Sequence, residues 1–264
     1  MRTKPDHGED SYVGKGLLAG KVALVTGGDS GIGRAVAIAY AREGADIAIS
    51  YLADEQPDAE ETKAWVEKAG RHCLLLPGDL RDRDHCVALI ESTVAELGGI
   101  DVLVNNAAAQ TMNDGLDSVD DDEMQGAFAA NVFAMIRLAK AAAPYMKPGA
   151  AIVNTTSEQA KVASKSMIVY AATKGAVSSL TVGLSNLLAP QGIRVNAVAP
   201  GPVWTPIQPI AKSPDELEKL GQGTPLGRAG QPAELAPAYV LLASSEGSYM
   251  SGAVIAVTGG VPIS

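Results

Sequence analysis

The sequence predicts a doubly wound α/β fold, a seven-stranded parallel sheet flanked by helices. After Gly20, short β-branched runs alternate with longer Ala-rich segments of helical period, and this βα unit recurs seven times. The strand runs are apolar throughout rather than alternating, as strands buried on both faces must be. Among 264 residues there are 28 glycines and only 4% aromatics, so the core is built from Val, Ile, Leu and Ala between close turns. Helices layered on a sheet provide that core.

In chain order, KVALVT (21–26) precedes a helix over 31–43, DIAISY (46–51) one over 58–69, and HCLLL (72–76) one over 83–97. DVLVN (101–105) then leads into 121–146, AIVNTTS (151–157) into 167–188, RVNAVA (194–199) through a long loop into 232–243, and AVIAV (253–257) closes the set. Residues 1–20 are polar and Gly-punctuated, with neither period. They read as an arm lying on the surface or on a partner subunit, ahead of one domain over 21–264. The Pro- and Gly-rich stretch 200–231 is too long for an ordinary connection and reads as a lid, mobile over 202–226.

Composition excludes several classes of function. A net charge of −9 opposes binding to nucleic acid or anionic membranes. The N-terminus lacks the apolar core of a secretory signal, and no apolar run is long enough for a membrane span, so a cytoplasmic location is expected. Cys73 and Cys86 lie apart from any His/Cys cluster and read as buried thiols; His7, His72 and His85 are scattered, so no metal is expected. The acidic run 117–123 lacks the ligand spacing and Gly of a calcium loop and reads as an N-cap and first helical turn.

The first βα turn reads Thr26-Gly27-Gly28-Asp29-Ser30-Gly31-Ile32-Gly33. Glycines between a strand and a helix let the backbone approach a diphosphate, whose charge meets the amides at the helix N-terminus. Further along, Tyr170 and Lys174 stand four residues apart on one helix face, thirteen residues after Ser157. A tyrosine hydroxyl with a pKa near about 10 needs help to exchange protons at neutral pH, and an adjacent ammonium favours the phenolate.

Taken in order, these motifs resemble the short-chain dehydrogenase/reductase family. Asp79-Leu80 follows the third strand, Asn105-Asn106-Ala107-Ala108 ends the fourth with Ala108 where the family has glycine, and Asn131 lies in the next helix. Ser157 ends the fifth strand, Tyr170-Ala-Ala-Thr-Lys174 opens the long helix, and Pro200-Gly201 with Thr205 closes the sixth. The arm, the Gly27–Ser30 turn and the Tyr51-Leu52-x-x-Glu55 segment are most similar to the bacterial general-stress-protein and aldehyde-reductase-like branch.

The resemblance implies a Rossmann-type fold and hydride transfer between NAD(P)(H) and a carbonyl or secondary alcohol, whether aldehyde, ketone, sugar or polyol. Tyr170 would be the general acid/base, Ser157 would bind the substrate oxygen, Lys174 would tune Tyr170 and hold the nicotinamide ribose, and Asn131 would support a water leading from Lys174. Cofactor contacts would come from Gly27, Asp29, Ser30, Gly31, Ile32, Gly33, Tyr51, Leu52, Asp79, Leu80, Asn105, Ala107, Pro200, Gly201, Val203 and Thr205, beside Tyr170 and Lys174. At the end of the second strand, Tyr51 replaces the acid that marks NAD users and Leu52 the base common in NADP users. The balance leans slightly to NADP. The family also implies a homotetramer, through the Ala127–Ala143 helix with its successor and through the last strand. A non-catalytic nucleotide sensor would usually have lost Tyr170 or Lys174. An enoyl-thioester reductase spaces that pair by six, and an epimerase would carry a larger C-terminal domain.

Overall fold

The computed structural model describes residues 4–211 and 213–263. Seven parallel strands run β1 (Val22–Thr26), β2 (Asp46–Tyr51), β3 (Cys73–Pro77), β4 (Val102–Asn105), β5 (Ala151–Thr155), β6 (Arg194–Pro200) and β7 (Val254–Val257). Their order in the sheet is β3-β2-β1-β4-β5-β6-β7. The order reverses between β1 and β4, the kind of switch point at which open α/β sheets bind ligands. Every residue of β1, β4 and β5 is buried, as their unbroken apolar runs require.

Helices cover both faces. One layer holds α1 (Gly31–Arg42), α2 (Gln56–Lys68) and the late helix Pro232–Ala243; the other holds α3 (Arg83–Leu97), the helical segments after β4 and the long helix Ile168–Leu188. Val36, Tyr40, Val66 and Tyr239 pack on the first face, and Leu89, Ile90, Leu138 and Leu188 on the second. The segment expected as one helix over 121–146 is divided into α4 (Asp121–Phe128), a five-residue π-turn (Ala129–Phe133) and α5 (Ala134–Ala142). Asp120 caps α4, accepting from the Glu123 amide at 2.9 Å, so the acidic run is a helix start.

After α6 (Ile168–Leu188) and β6, the segment expected to lack regular structure carries two short helices, α7 (Gln208–Ala211) and α8 (Pro214–Glu218). Ser213 and Glu216 form a capping box on α8, with Pro214 in its first turn. The base of the segment is pinned where Trp204 N donates to Gly230 O at 2.9 Å and Gly230 N to Pro202 O at 2.9 Å, just before α9 (Pro232–Ala243).

The arm lies on its own chain. Asp6 O accepts from Ala233 N at the start of α9, and the rest of the arm converges on Glu43 at the end of α1. Glu43 is 1% exposed and accepts from Tyr12 Oη at 2.6 Å, Lys15 N at 2.8 Å and Leu17 N at 2.9 Å. Burial pushes its carboxyl upward, but those three donors outweigh burial and hold it below the usual carboxylate range. A depressed carboxylate stabilises the fold above its unfolded pKa and loses that contribution as pH falls through its folded one. Glu43→Ala is therefore expected to lower stability by about 2 kcal/mol or more, since it strands donors to a charged acceptor. Thermal melts at neutral pH should show the loss. On acidification below about pH 4 the gap between wild type and variant should close, because only the wild type has the contribution to lose.

Candidate active site

A cleft of 740 Å³ opens along the carboxyl ends of the strands, straddling the β1/β4 switch point. Its first wall is the turn after β1. Gly27 and Gly31 adopt φ of 62° and 52°, in the left-handed region that favours glycine. A Cβ on Gly33 would lie 1.8 Å from Gly27 O, so a side chain there would drive the helix off the turn.

Ser30 stands at the N-cap of α1 without a side-chain cap, and the first helical turn holds no acid. The leading amides of a twelve-residue helix thus remain available to an anion. The buried Arg34 braces this turn from behind. Its Nε donates to Asp29 O at 2.8 Å and Thr62 Oγ1 at 3.0 Å, and its other nitrogens reach Glu61 at 2.8 Å and Asp58 O at 2.9 Å. Cradle and helix terminus together fit a dinucleotide diphosphate.

The second wall is the end of β4. Thr26 Oγ1 accepts from the amides of Asn106 at 2.9 Å and Ala107 at 3.1 Å, and Asn106 Nδ2 donates to Thr26 O at 3.0 Å. Of the expected cofactor residues, Gly27, Asp29, Ser30, Gly31, Ile32, Tyr51, Leu52, Asp79, Leu80, Ala107, Pro200, Gly201, Val203 and Thr205 line the cleft. Gly33 and Asn105 do not. Gly33 acts through helix packing, whereas Asn105 turns into the sheet and donates to Asn154 Oδ1 at 2.9 Å. Asn106, the next side chain along an extended segment, faces the cleft in its place.

At the ribose edge, Tyr51 is buried and donates to Gln56 Oε1 at 2.6 Å, while Leu52 is exposed. Two carboxylates line the cleft here, Asp29 and the unforeseen Glu55. Burial raises both, and the Asp29 charge raises Glu55 further. Further out, Arg81 forks onto Asp79 at 2.6 and 2.8 Å and holds its carboxyl below the usual range.

Ser157, Tyr170 and Lys174 meet at the other end of the cleft. Ser157 stands two residues beyond β5 and caps the following turn, and Tyr170 and Lys174 lie one turn apart in α6. Lys174 is 1% exposed; its Nζ donates to Thr155 O at 2.8 Å and sits 5.4 Å from the Tyr170 ring centroid. Burial pushes the Tyr170 hydroxyl up to about 12, against a hydrogen bond from Ser157 that favours the phenolate. The same burial pushes Lys174 down to about 7. Desolvation penalises the charged form of each.

Asn131 stands behind the wall of the cleft. Its side chain does not line the cleft: Oδ1 accepts from Ala109 N at 2.7 Å, and Nδ2 donates to Ala109 O at 2.8 Å and Thr173 Oγ1 at 3.0 Å. From the π-turn it ties the segment after β4 to α6. Among the described residues no group of His, Cys, Asp and Glu could hold a metal, and no helix is long and apolar enough to cross a membrane.

A family model described as enoyl-(acyl carrier protein) reductase matches residues 27–262. The chain belongs to the short-chain dehydrogenase/reductase family. These are NAD(P)-dependent oxidoreductases, and this chain is an enzyme of that family. General stress protein 39 of Bacillus subtilis is 49% identical over 260 residues, covering 98% of this chain and 91% of the relative. The NADPH-dependent aldehyde reductase 1, chloroplastic, of Arabidopsis thaliana is 40% identical, covering 100% and 93%. A Burkholderia cenocepacia short-chain dehydrogenase solved in complex with NADP superposes with a TM-score of 0.86 at 32% identity, covering 92% of this chain and 98% of that one.

The site of this short-chain dehydrogenase/reductase carries a stability cost. A lysine whose folded pKa is depressed penalises the fold while charged, fully below the folded value and progressively less up to its unfolded value near about 10.4. Lys174→Met is therefore expected to raise the melting temperature at pH 6 by several degrees and to raise it less at pH 9, at about 2–4 °C per kcal/mol for a chain of this size. Equal shifts at both pH values would show that the folded protein does not depress the Lys174 pKa.

Proposed function

We propose that this enzyme transfers hydride between NADP(H) or NAD(H) and a carbonyl or secondary alcohol, with aldehydes, ketones, sugars and polyols as the substrate range. The observation that carries this reading is the convergence of Ser157, Tyr170 and Lys174 at one end of the dinucleotide-sized cleft. The dinucleotide supplies or accepts the hydride at the carbonyl carbon. Tyr170, protonated at neutral pH by the burial described above, donates its proton to the developing oxyanion and recovers it in the reverse direction. Ser157 donates to the same oxygen and stabilises its charge. Lys174 would hold the nicotinamide ribose, while the α1 amides, Gly27 and Gly31 would take the diphosphate. The relative's name, which specifies an aldehyde and NADPH, and the NADP complex of the Burkholderia protein support this reading. Enoyl-thioester reduction, named in the family model, is disfavoured by the four-residue step from Tyr170 to Lys174.

A homotetramer is the proposed assembly. Phe133, Ile136, Val182 and Leu187 are exposed apolar residues on and beside α5 and α6, and β7 pairs only with β6, leaving an open sheet edge. Two unpaired thiols, Cys73 and Cys86, suit a reducing, cytoplasmic compartment.

A panel of aldehydes, ketones and one enoyl thioester, followed by loss of reduced-nicotinamide absorbance, tests the reaction. Turnover of carbonyls and not of the thioester is expected. Tyr170→Phe should lower kcat by about 10²–10⁴ while leaving the Kd for the dinucleotide nearly unchanged, because the ring stays and only the proton donor goes. A variant keeping half of wild-type kcat would remove Tyr170 from the reaction.

Cofactor preference should be narrow, within roughly 30-fold in kcat/KM, about 2 kcal/mol, because Tyr51 and Leu52 offer neither acid nor base to the ribose. Leu52→Arg should move the ratio toward NADPH by about tenfold through a charge-assisted bond, and Tyr51→Asp should move it toward NADH. Fluorescence titration of both dinucleotides reads these shifts directly. A wild-type preference above about a thousandfold would point to Asp29 and Glu55 as readers of the 2′ position if NADH is favoured.

A further inference from the structure

Two polar atoms on the wall around Ser157 and Tyr170 are buried and bond to nothing in the protein. Thr111, on the segment after β4, is 7% exposed, lines the cleft, and its Oγ1 has no partner. Glu158, next after Ser157, lines the same cleft with Oε2 buried and unpartnered. A buried polar atom without a partner is costly, more so when charged, and a ligand that bonds to both recovers that cost.

Both groups are held in place beforehand. Asn131 clamps Ala109 from both sides, and Asn113 N donates to Ser166 O at 2.8 Å, so the Thr111 segment lies against the entry to α6. Glu158 O accepts from the amides of Lys161 and Val162, both at 2.9 Å, which fixes its turn. Gln159 Oε1 is spent on Ser164 N at 2.8 Å. The cations lining the cleft among the described residues are Arg81, paired with Asp79, and Lys174, bonded to Thr155 O. Neither is free to neutralise Glu158. Its charge also reaches Tyr170 and raises that hydroxyl, so carboxylate and phenol act on one small volume.

An ionised carboxylate only accepts hydrogen bonds, whereas a threonine hydroxyl both donates and accepts. The partner suited to both is an alcohol hydroxyl. With the carbonyl oxygen held at Ser157 and Tyr170, Glu158, next in the chain and lining the same cleft, meets a group on the same substrate close to that carbonyl. We propose that Glu158 and Thr111 form a hydroxyl-recognition subsite and that the preferred substrates are short α- or β-hydroxylated carbonyls and the corresponding polyols. This rests on the hydride-transfer reading above and narrows its substrate class.

The test compares D-glyceraldehyde with propanal, which has the same carbon count without the hydroxyls, in wild type, Glu158→Ala, Glu158→Gln and Thr111→Val. Wild type is expected to favour glyceraldehyde in kcat/KM by about 100-fold, less than fully enclosed hydroxyl sites achieve because this cleft is open. Glu158→Ala and Thr111→Val should each cut that ratio by about tenfold, one lost hydrogen bond's worth, mainly through KM, and Glu158→Gln should keep part of it. Each ratio is taken within one protein sample, so a partly folded variant still reports on the subsite. Intrinsic aldehyde reactivity is constant across the variants. A wild-type ratio near unity, or a ratio unmoved by Glu158→Ala and Thr111→Val, overturns the subsite while leaving hydride transfer standing. No turnover of either aldehyde by protein that binds dinucleotide and reduces other carbonyls of the panel overturns the subsite alone, whereas no turnover of any carbonyl or alcohol by such protein overturns the hydride-transfer reading and the subsite with it.

Discussion

The register of α6 against β5 is the constraint on which the rest of the site depends, and it is set by buried polar bonds rather than by apolar packing. Asn154 Nδ2 donates to Thr181 Oγ1 at 3.0 Å, and Thr156 Oγ1 donates to Lys174 O at 2.8 Å and meets Ser178 Oγ at 2.9 Å. Apolar contacts tolerate a shifted helix, but a shift here strands several buried donors and acceptors together. One residue of slip also rotates the helix by about 100°, which would carry Tyr170 out of the cleft. Thr155 extends the lattice to the opposite layer, since its hydroxyl meets Tyr239 Oη at 2.8 Å and Tyr40 Oη donates to Tyr239 O at 3.0 Å. The end of β5 is thereby fixed from both faces of the sheet.

The electrostatics of the cleft follow from that packing. Burying a phenol and an ammonium side by side disfavours charge on each, so the pair holds its proton on the phenol and is poised to protonate an oxyanion. The walls otherwise carry carboxylates, including Asp29, Glu55, Asp79 and Glu158. What the cleft offers an anion is backbone instead, the uncapped amides of α1. Arg34, which brings a full positive charge close behind the turn, is wholly engaged by Asp29 O, Thr62, Glu61 and Asp58. It stiffens the cradle rather than lining it.

Strands and long helices were legible because apolar period reflects burial, and every β-strand lies within a residue or two of its run in the sequence. Helix 121–146 contains no Gly or Pro where it breaks, so the π-turn around Asn131 leaves no mark in the composition. It arises from tertiary bonds to Ala109 and Thr173. The small helix α8, in contrast, had a readable signal in Ser213, Pro214 and Glu216, masked by the surrounding Pro and Gly. For Asn105 and Asn106 the motif located the pair, but which one faces the cleft depends on where the strand ends, a boundary the residues themselves do not mark. For Thr111 and Glu158 no pattern marks what matters, a buried polar atom without a partner, which only three-dimensional packing decides.

The pairing of β1 with β4 has a consequence for how the chain reaches its native state. All other neighbours in the sheet are consecutive strands, each joined by a local crossover, whereas β1 and β4 meet across some eighty residues of chain. Loop closure over that distance is the largest entropic step in assembling the sheet. The halves β1-β2-β3 and β4-β5-β6-β7 can each gather their own contacts first. The Thr26 bonds to Asn106 and Ala107 exist only once this seam has closed, and the cleft lies along the seam. Competence to bind dinucleotide is thus acquired late, and ligand binding during refolding reports the docking of two halves rather than the formation of either one.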